Sequence, residues 1–423
     1  MITNSKTVEK ILSISIRLTT LFSKFFLIIL LAKLLPPKDV GVYGLITATA
    51  GYLVYILGLE FYCFTTRELA SSTRKEWGAI IKNHATLLVF SYIIAIPIII
   101  LAMISQEIPS NIISLFIVIL IIEHVGQEQS RVLIAISRPL SSNIVLFIRT
   151  SAWVIVISPI LWFIPETRTI ESVLYSWIAG GIISIAIAAL VTNISIECNL
   201  RLDYSWVKKG LIISIPILIS TLSARGIFTF DRYMIEAFQG ITHVAPYVLF
   251  IGISNAMISL LDSGVYAYHY PSMIKSARNS PKEFKTTFKS MLTQTIAVCA
   301  IYSIACTLVI KYVLIWIDKP IYIAELNSFY ILMLAFSAHA LSMAFHYSLY
   351  ALKKDKALFR CNILMLPIFL ITAKTLEYFN YYNAVPISLF LVFACSLIWK
   401  ASGHYLEMKL LSEEKSNIKQ AST

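Results

Sequence analysis

Long apolar runs separated by short polar breaks recur along the whole chain, each near the ~20 residues that an α-helix needs to cross a bilayer. They fall at about 11–35, 40–64, 84–104, 111–134, 143–164 and 170–194, then at 210–238, 241–270, 288–317, 321–352, 358–378 and 382–406. The pattern predicts an all-α polytopic membrane protein with twelve spans in two sets of six. The paired prolines Pro36 and Pro37 close the first span, because proline cannot continue a helix. A basic segment at 199–209 separates the sets. The expected organisation is a bundle over 1–198, a linker over 199–209, a second bundle over 210–406 and a tail over 407–423.

Composition agrees. Of 423 residues, 58% are hydrophobic and 14% charged, with a mean hydropathy of +0.77, far from a soluble domain. The net charge of +12 would otherwise suggest nucleic acid, but no soluble basic face or base-reading element accompanies it. Topology accounts for it instead. With the amino terminus placed in the cytoplasm, the inner segments hold 25 of the 35 lysines and arginines, the bias that cytoplasmic loops carry. That count places Arg149 and Lys400 among the inner, interfacial cations. Both termini are then cytoplasmic. The six cysteines form no CxxC pair and read as small buried hydrophobes rather than a disulfide or zinc framework. Arg17 and Lys24 interrupt any secretory signal core, and no small-residue cleavage site follows.

Those two cations are the first candidate chemistry. Seven residues apart, they lie on nearly one helical face. A charge at bilayer depth costs at least ~2.5–3.5 kcal/mol, so that face is expected to look into a bundle interior or a watery cavity. Arg225 and Arg232 repeat the spacing in the seventh span, and Val40-Gly41-Val42-Tyr43 is echoed by Val244-Ala245-Pro246-Tyr247. An internal duplication of two parallel bundles is the expectation, with a substrate site at the repeat interface. Lys24 and Arg225 sit near mid-span and are candidate ligands for an anion; structural pairing with a carboxylate is the alternative. Arg17 is shallower and can snorkel to headgroups. Arg232 can instead pair with Glu236 four residues on, while Asp231, adjacent to it, points elsewhere. In the fourth span Glu123, His124 and Glu128 are candidates for proton coupling, since carboxylate and imidazole can exchange protons near neutral pH. Against this stands a structural pair of Glu128 with Arg131 beside a hydrogen-bonded histidine. Asp262, His269, His339 and His346 read as helix-bridging hydrogen-bond formers.

The chain has no P-loop, no HExxH, no nucleophile elbow and no Gly-rich dinucleotide turn, so nothing in it announces an enzyme or calls for a cofactor. Two stretches do carry a resemblance. A charged first span followed by LLAKLLPPKDVGVYGL, and SARGIFTFDRYMIEAFQGITHVAPY in the seventh, resemble the polysaccharide transporter (O-antigen flippase) family of the multidrug/oligosaccharidyl-lipid/polysaccharide (MOP) exporter superfamily.

The resemblance implies two six-helix bundles around a central cavity in the bacterial cytoplasmic membrane. It implies a flippase that carries an undecaprenyl-pyrophosphate-linked sugar repeat unit to the periplasmic leaflet by alternating access. Implied partners are that lipid-linked oligosaccharide, the surrounding membrane lipid and a polysaccharide polymerase, with H+ or Na+ as coupling ion and no nucleic acid. The family's cavity cations map to Arg17, Lys24, Arg225 and Arg232, with Asp231 beside them as a coupling candidate; Lys24 supplies a point charge where arginine would be bidentate. Two rivals remain at this point. A cation-coupled multidrug exporter of the related MATE type would favour a carboxylate-lined cavity. A membrane polymerase or ligase would need a large outer loop, and every expected outer loop is short.

Overall fold

A computed structural model describes residues 2–106, 108–192, 194 and 203–421, with the side chains of 2–11, 14, 278–279 and 411–421 left aside. Cys198, Arg201 and the side chains of Lys6, Lys10, Arg278, Lys415 and Lys419 therefore lie outside the described residues.

Twelve helices are long and apolar enough to span a membrane. They are α1 Ser15–Leu34, α2 Pro37–Gly58, α3 Arg74–Ser105, α4 Ser110–Ala135, α5 Pro139–Phe163, α6 Ile170–Thr192, α7 Tyr204–Gln239, α8 Ile241–Ala277, α9 Pro281–Ile317, α10 Leu326–Ala351, α11 Asp355–Tyr378 and α12 Ala384–Leu410. All described regular structure is helical. Every backbone polar group in hydrocarbon must be satisfied within the chain, which leaves helices as the solution for such a sequence.

The helix ends differ from the hydropathy pattern where local chemistry intervenes. α2 stops at Gly58 rather than near residue 64, because Leu59 and Glu60 take positive φ of 51° and 53° and start a separate short helix, Tyr62–Ser71. α3 begins ten residues before the apolar run, at Arg74, where Thr73 and Glu76 form a reciprocal capping box that satisfies two orphan amides. The basic stretch between these spans is therefore mostly helical. Proline-initiated Pro320–Ala324 is likewise a short helix of its own ahead of α10.

The chain divides into two compact units, Met1–Arg225 and Gly226–Thr423, so α7 contributes to both. In the first unit, Ile46, Ala50, Val54 and Leu57 of α2 pack with Leu115, Phe116, Ile119 and Leu120 of α4 and with Ile170 and Leu174 of α6. The start of α7 lies close against this unit, with Trp206 ring centroids 5.2 and 5.1 Å from Phe61 and Phe64. In the second unit α8 is buried from Val244 through Ile251, and α10 packs along α12, where Ser342 and Ser396 meet at 2.9 Å. Two cations assigned to the inner surface by sequence lie elsewhere: Arg149 is 6% exposed within α5 and Lys400 is 4% exposed within α12. Both lie inside their apolar runs, on helix faces that pack into the protein: Arg149 in a π-helical turn of α5 and Lys400 on the buried face of α12. The five described cysteines are free thiols.

Candidate functional site

In the first unit, Arg17, Thr20 and Lys24 form one stripe along α1, at steps of three and four residues. Phe22, 67% exposed, lies about 200° round the helix from Lys24, so the stripe faces away from the apolar side that lipid would cover. It meets α5. Arg17 Nε donates to the Asn143 Oδ1 at 3.1 Å, and Ser151 Oγ donates to the Thr20 carbonyl at 3.3 Å.

Between those two contacts α5 widens into a π-helical turn, Ile148–Ala152, a local feature often found at functional sites. The turn carries Arg149. Its Nη1 donates to the Glu123 carbonyl at 2.8 Å, and its Nε lies 3.7 Å from Glu123 Oε2. The approach requires Gly126, since a Cβ there would stand 2.7 Å from Arg149 Cδ. Trp177 Nε1 on α6 donates to Glu123 Oε1 at 2.7 Å. The Trp177 ring stacks on Trp153, with centroids 6.2 Å apart and planes 8° from parallel, and Trp153 Nε1 donates to the Arg149 carbonyl at 3.1 Å. Lys24 lies within electrostatic reach of both Glu123 and Arg149. Among the described residues, however, no carboxylate is within ion-pair distance of it, and its side chain is exposed. Glu123 is thus already held by a guanidinium and an indole, and Lys24 keeps its own donors available.

Five residues along α4, Glu128 centres a second cluster. It pairs with Arg131 one turn on, with the His124 Nε2 at 3.7 Å and the His84 Nε2 of α3 at 3.9 Å. Those two imidazole nitrogens are buried and lack hydrogen-bond partners. Tyr92 hydroxyl meets His124 Nδ1 at 2.5 Å. Gly58 leaves the room: a Cβ on it would lie 2.7 Å from His124 Nε2. The Arg131 guanidinium stacks 3.4 Å over the Tyr62 ring. Burial, and after it the Glu60 carboxylate, pushes the Tyr62 phenol well above its ordinary range. The arrangement contains both the Glu128–Arg131 pair expected from spacing and a hydrogen-bonded histidine. Arg225, exposed on α7, stacks 5.4 Å over the Tyr55 ring of α2.

The second unit holds the remaining candidates. Asp231 is fully buried; it accepts from Tyr247 hydroxyl at 3.0 Å and from the Arg232 amide at 2.7 Å. Arg232 Nη1 lies 3.6 Å from the same carboxylate and also donates to the Phe228 carbonyl. The adjacent charges therefore converge instead of diverging, and the ion pair Arg232 makes is with Asp231 rather than Glu236. A second knot joins the amino-terminal ends of α8, α10 and α12. Glu325 accepts from Tyr382 and from Ser328 at 3.0 Å, and it meets His243 Nδ1 at 2.9 Å. Burial and then the Glu325 bond raise the Tyr382 phenol to about 12.

The structure thus sets Lys24 within electrostatic reach of Glu123 and His124 beside Glu128, and it keeps Asp231 and Arg232 together in a buried knot. Sequence reading missed Arg149, Trp177 and His84. Each finds its partner on another helix, Arg149 and Trp177 at Glu123 and His84 at Glu128, so spacing along its own helix gives no signal of the contact.

No family model and no curated protein matches the chain. Solved structures are. An inward-facing multidrug resistance MATE family transporter of the MOP superfamily aligns over 95% of this chain and 99% of its own, at 14% identity with a TM-score of 0.73. An outward-facing transporter of the same description aligns over 96% and 95%, at 12% identity and a TM-score of 0.57. A MOP superfamily transporter from Pyrococcus furiosus, described as having a binding pocket of reverse polarity that suggests a different function, aligns over 96% and 95% at 11% identity and a TM-score of 0.58. At these identities the likeness carries the fold alone, and the chain shares the all-helical fold of these transporters.

Proposed function

We propose that the chain is a transporter that moves an anionic, lipid-linked saccharide across a bacterial cytoplasmic membrane by alternating access, with Lys24 as its principal phosphate ligand. One observation carries the reading: Lys24 is an exposed cation on the polar stripe of α1, and the acid within its electrostatic reach is already engaged by Arg149 and Trp177. An intramembrane cation on an exposed polar stripe, with no carboxylate at ion-pair distance, is placed to receive an external anion. Arg17 and Arg225 supply further donors on the same unit. A pyrophosphate head cannot cross ~30 Å of hydrocarbon unaided; fixed cations replace its lost hydration while its lipid tail stays in the bilayer. Undecaprenyl pyrophosphate bearing a sugar repeat unit is the cargo that fits this chemistry, and a polymerase is the consumer it would feed.

The MATE-type drug exporter is the second reading, supported by the multidrug transporter among the structural neighbours. Such substrates are mostly cationic and call for open carboxylates. Here Glu123, Glu128 and Asp231 all stand beside guanidinium groups, which disfavours it.

Deletion of the gene should leave lipid-linked repeat units on the cytoplasmic leaflet, and Lys24→Ala or Arg225→Ala should abolish surface polysaccharide at unchanged protein level. Full glycan display in both variants removes the cationic site from the mechanism. Altered drug tolerance with normal glycan supports the exporter instead.

A further inference from the structure

Lys400 lies on the buried stripe of α12, in step with Ser388, Val392, Ser396 and His404 at four-residue intervals, and is 4% exposed. The facing helix is α10, and the register between them is well defined. His339 and Phe393 ring centroids are 4.5 Å apart, Ser342 and Ser396 hydroxyls are 2.9 Å apart, and Ser348 meets the His404 Nδ1 at 2.6 Å. Residue numbers rise together across these pairs, so the helices run parallel, with partners offset by 54 to 56 positions. That offset sets His346 level with Lys400.

The His346 Nδ1 is buried and has no hydrogen-bond partner, and both His346 and His339 lie within electrostatic reach of Lys400. The other titratable groups facing the lysine are Cys361 of α11 and His404 of its own helix, whose ring packs 4.0 Å from Phe288 of α9. Among the described residues no carboxylate is within ion-pair distance of Lys400. A buried ammonium in that setting lacks any counter-charge, and an imidazolium at the same level would add a second like charge. Two bases with room for one positive charge make a proton site.

We propose that Lys400 and His346 hold one exchangeable proton between them, forming a proton-binding site inside the second unit that is separate from the carboxylate clusters of the first. Loading takes a proton from a solvent acid onto the nitrogen lone pair of either base, leaving the acid's conjugate base behind. Unloading reverses it. The serine pair above and the Ser348–His404 bond below hold the two bases in register, and neither titratable flank offers an acid to fix the proton permanently.

Proton uptake by the purified protein tests this without any assay of transport. Moved from pH ~9 to pH ~5, the wild type should take up about one proton per chain more than the K400M/H346L variant. A lysine charged across that range and an imidazole neutral across it would add nothing, so equal uptake overturns the proposal. Should the double variant lose its helical circular dichroism, K400Q and H346Q taken singly replace it. Each should move the uptake midpoint by about one pH unit or more, because a shared proton depends on both groups. An unmoved midpoint in both refutes sharing. Use of the site in coupling rests on the transport reading, and there K400M and K400R should both lose proton-dependent transport, one unable to load and the other unable to unload. Normal proton-dependent transport in K400M, with the proton count intact in the wild type, would confine the site to a role outside coupling.

Discussion

Removing Arg149 tests whether the first unit's interior is organised around the Glu123 pair. The guanidinium side chain is 7% exposed and the carboxylate 18%, with 3.7 Å between Nε and Oε2. At an effective dielectric of ~20 the charges attract by about 4 kcal/mol before desolvation is counted. Arg149→Met keeps the bulk, loses the charge, and also removes the 2.8 Å bond to the Glu123 carbonyl. Breaking one side of a buried pair costs about 3–5 kcal/mol; the Trp177 donor at 2.7 Å and the nearby Lys24 charge should hold the loss to the lower end, about 3 kcal/mol. Glu123→Gln should cost a similar amount by leaving Arg149 with a neutral amide. The double variant leaves neither charge, so it should be more stable than the sum of the singles by about 2 kcal/mol or more. Reversible unfolding in mixed micelles, read by tryptophan fluorescence, gives the four free energies of the cycle. Additive losses would mean that the two side chains are neighbours without energetic coupling, and the account of Glu123 as already engaged would fall. Under the proposed function a further outcome is expected: in Arg149→Met the released carboxylate becomes a partner for Lys24, so export should drop although Lys24 is untouched.

Three further outcomes are expected. Gly126→Ala places a Cβ 2.7 Å from Arg149 Cδ and should lower stability by about 1–3 kcal/mol through overpacking, with little extra loss when Arg149 is already methionine; equal losses in both backgrounds would place the clash elsewhere. Tyr247→Phe withdraws the 3.0 Å donor from fully buried Asp231 and should cost about 1–3 kcal/mol by the same unfolding assay, while a neutral result would mean that water takes over the bond. Tyr382, whose phenol is raised to about 12 by burial and by Glu325, favours the protonated folded state. Its contribution is present below the unfolded value of ~10 and is lost as pH rises toward ~12. Tyr382→Phe should remove that segment from the stability profile, and an unchanged alkaline limb in the variant contradicts it.

Most of the fold could be read from hydropathy, because a bilayer permits few solutions for a chain of repeated apolar runs. The helix ends could be read less well. Thr73 and Glu76 start α3 three turns before its apolar run, and Leu59–Glu60 end α2 early by backbone conformation; neither signal lies in hydropathy. For the site, spacing within one helix was legible and pairing between helices was not. Glu128 and Arg131 are a local pair, and so were foreseeable. Glu123 finds Arg149 on α5 and Trp177 on α6, positions that no single-helix periodicity connects. Arg149 also looked interfacial because the π turn that aims it inward leaves no mark in the apolar pattern. Lys400 was hidden differently: α12 carries it on a buried face, while its neighbours Ile398 and Trp399 are exposed at 65% and 43%.

The distribution of charge argues for the sign of the cargo more strongly than any single cation does. An exporter of organic cations must leave a carboxylate open, because the acid supplies both the attraction and the exchangeable charge. In the first unit both α4 acids are closed off, Glu123 by Arg149 and Glu128 by Arg131. In the second, Asp231 is closed off by its own neighbour Arg232 and by Tyr247. Each pairing silences a negative charge, and Asp262 of α8, exposed and bonded to Tyr347, is an acid of the spans that stands without a cation among the described residues. Among the cations, Lys24 is the one whose surroundings argue for an anion most directly: its polar stripe faces α5, Glu123 is already committed there, and no carboxylate stands at ion-pair distance from it among the described residues. Replacing Lys24 by glutamate would then do more than remove a ligand. It would set an open acid beside Glu123, raising the cost of any anion and inviting a cation, so under the proposed function the variant should lose glycan export and gain organic-cation binding, and unchanged export would contradict the proposal.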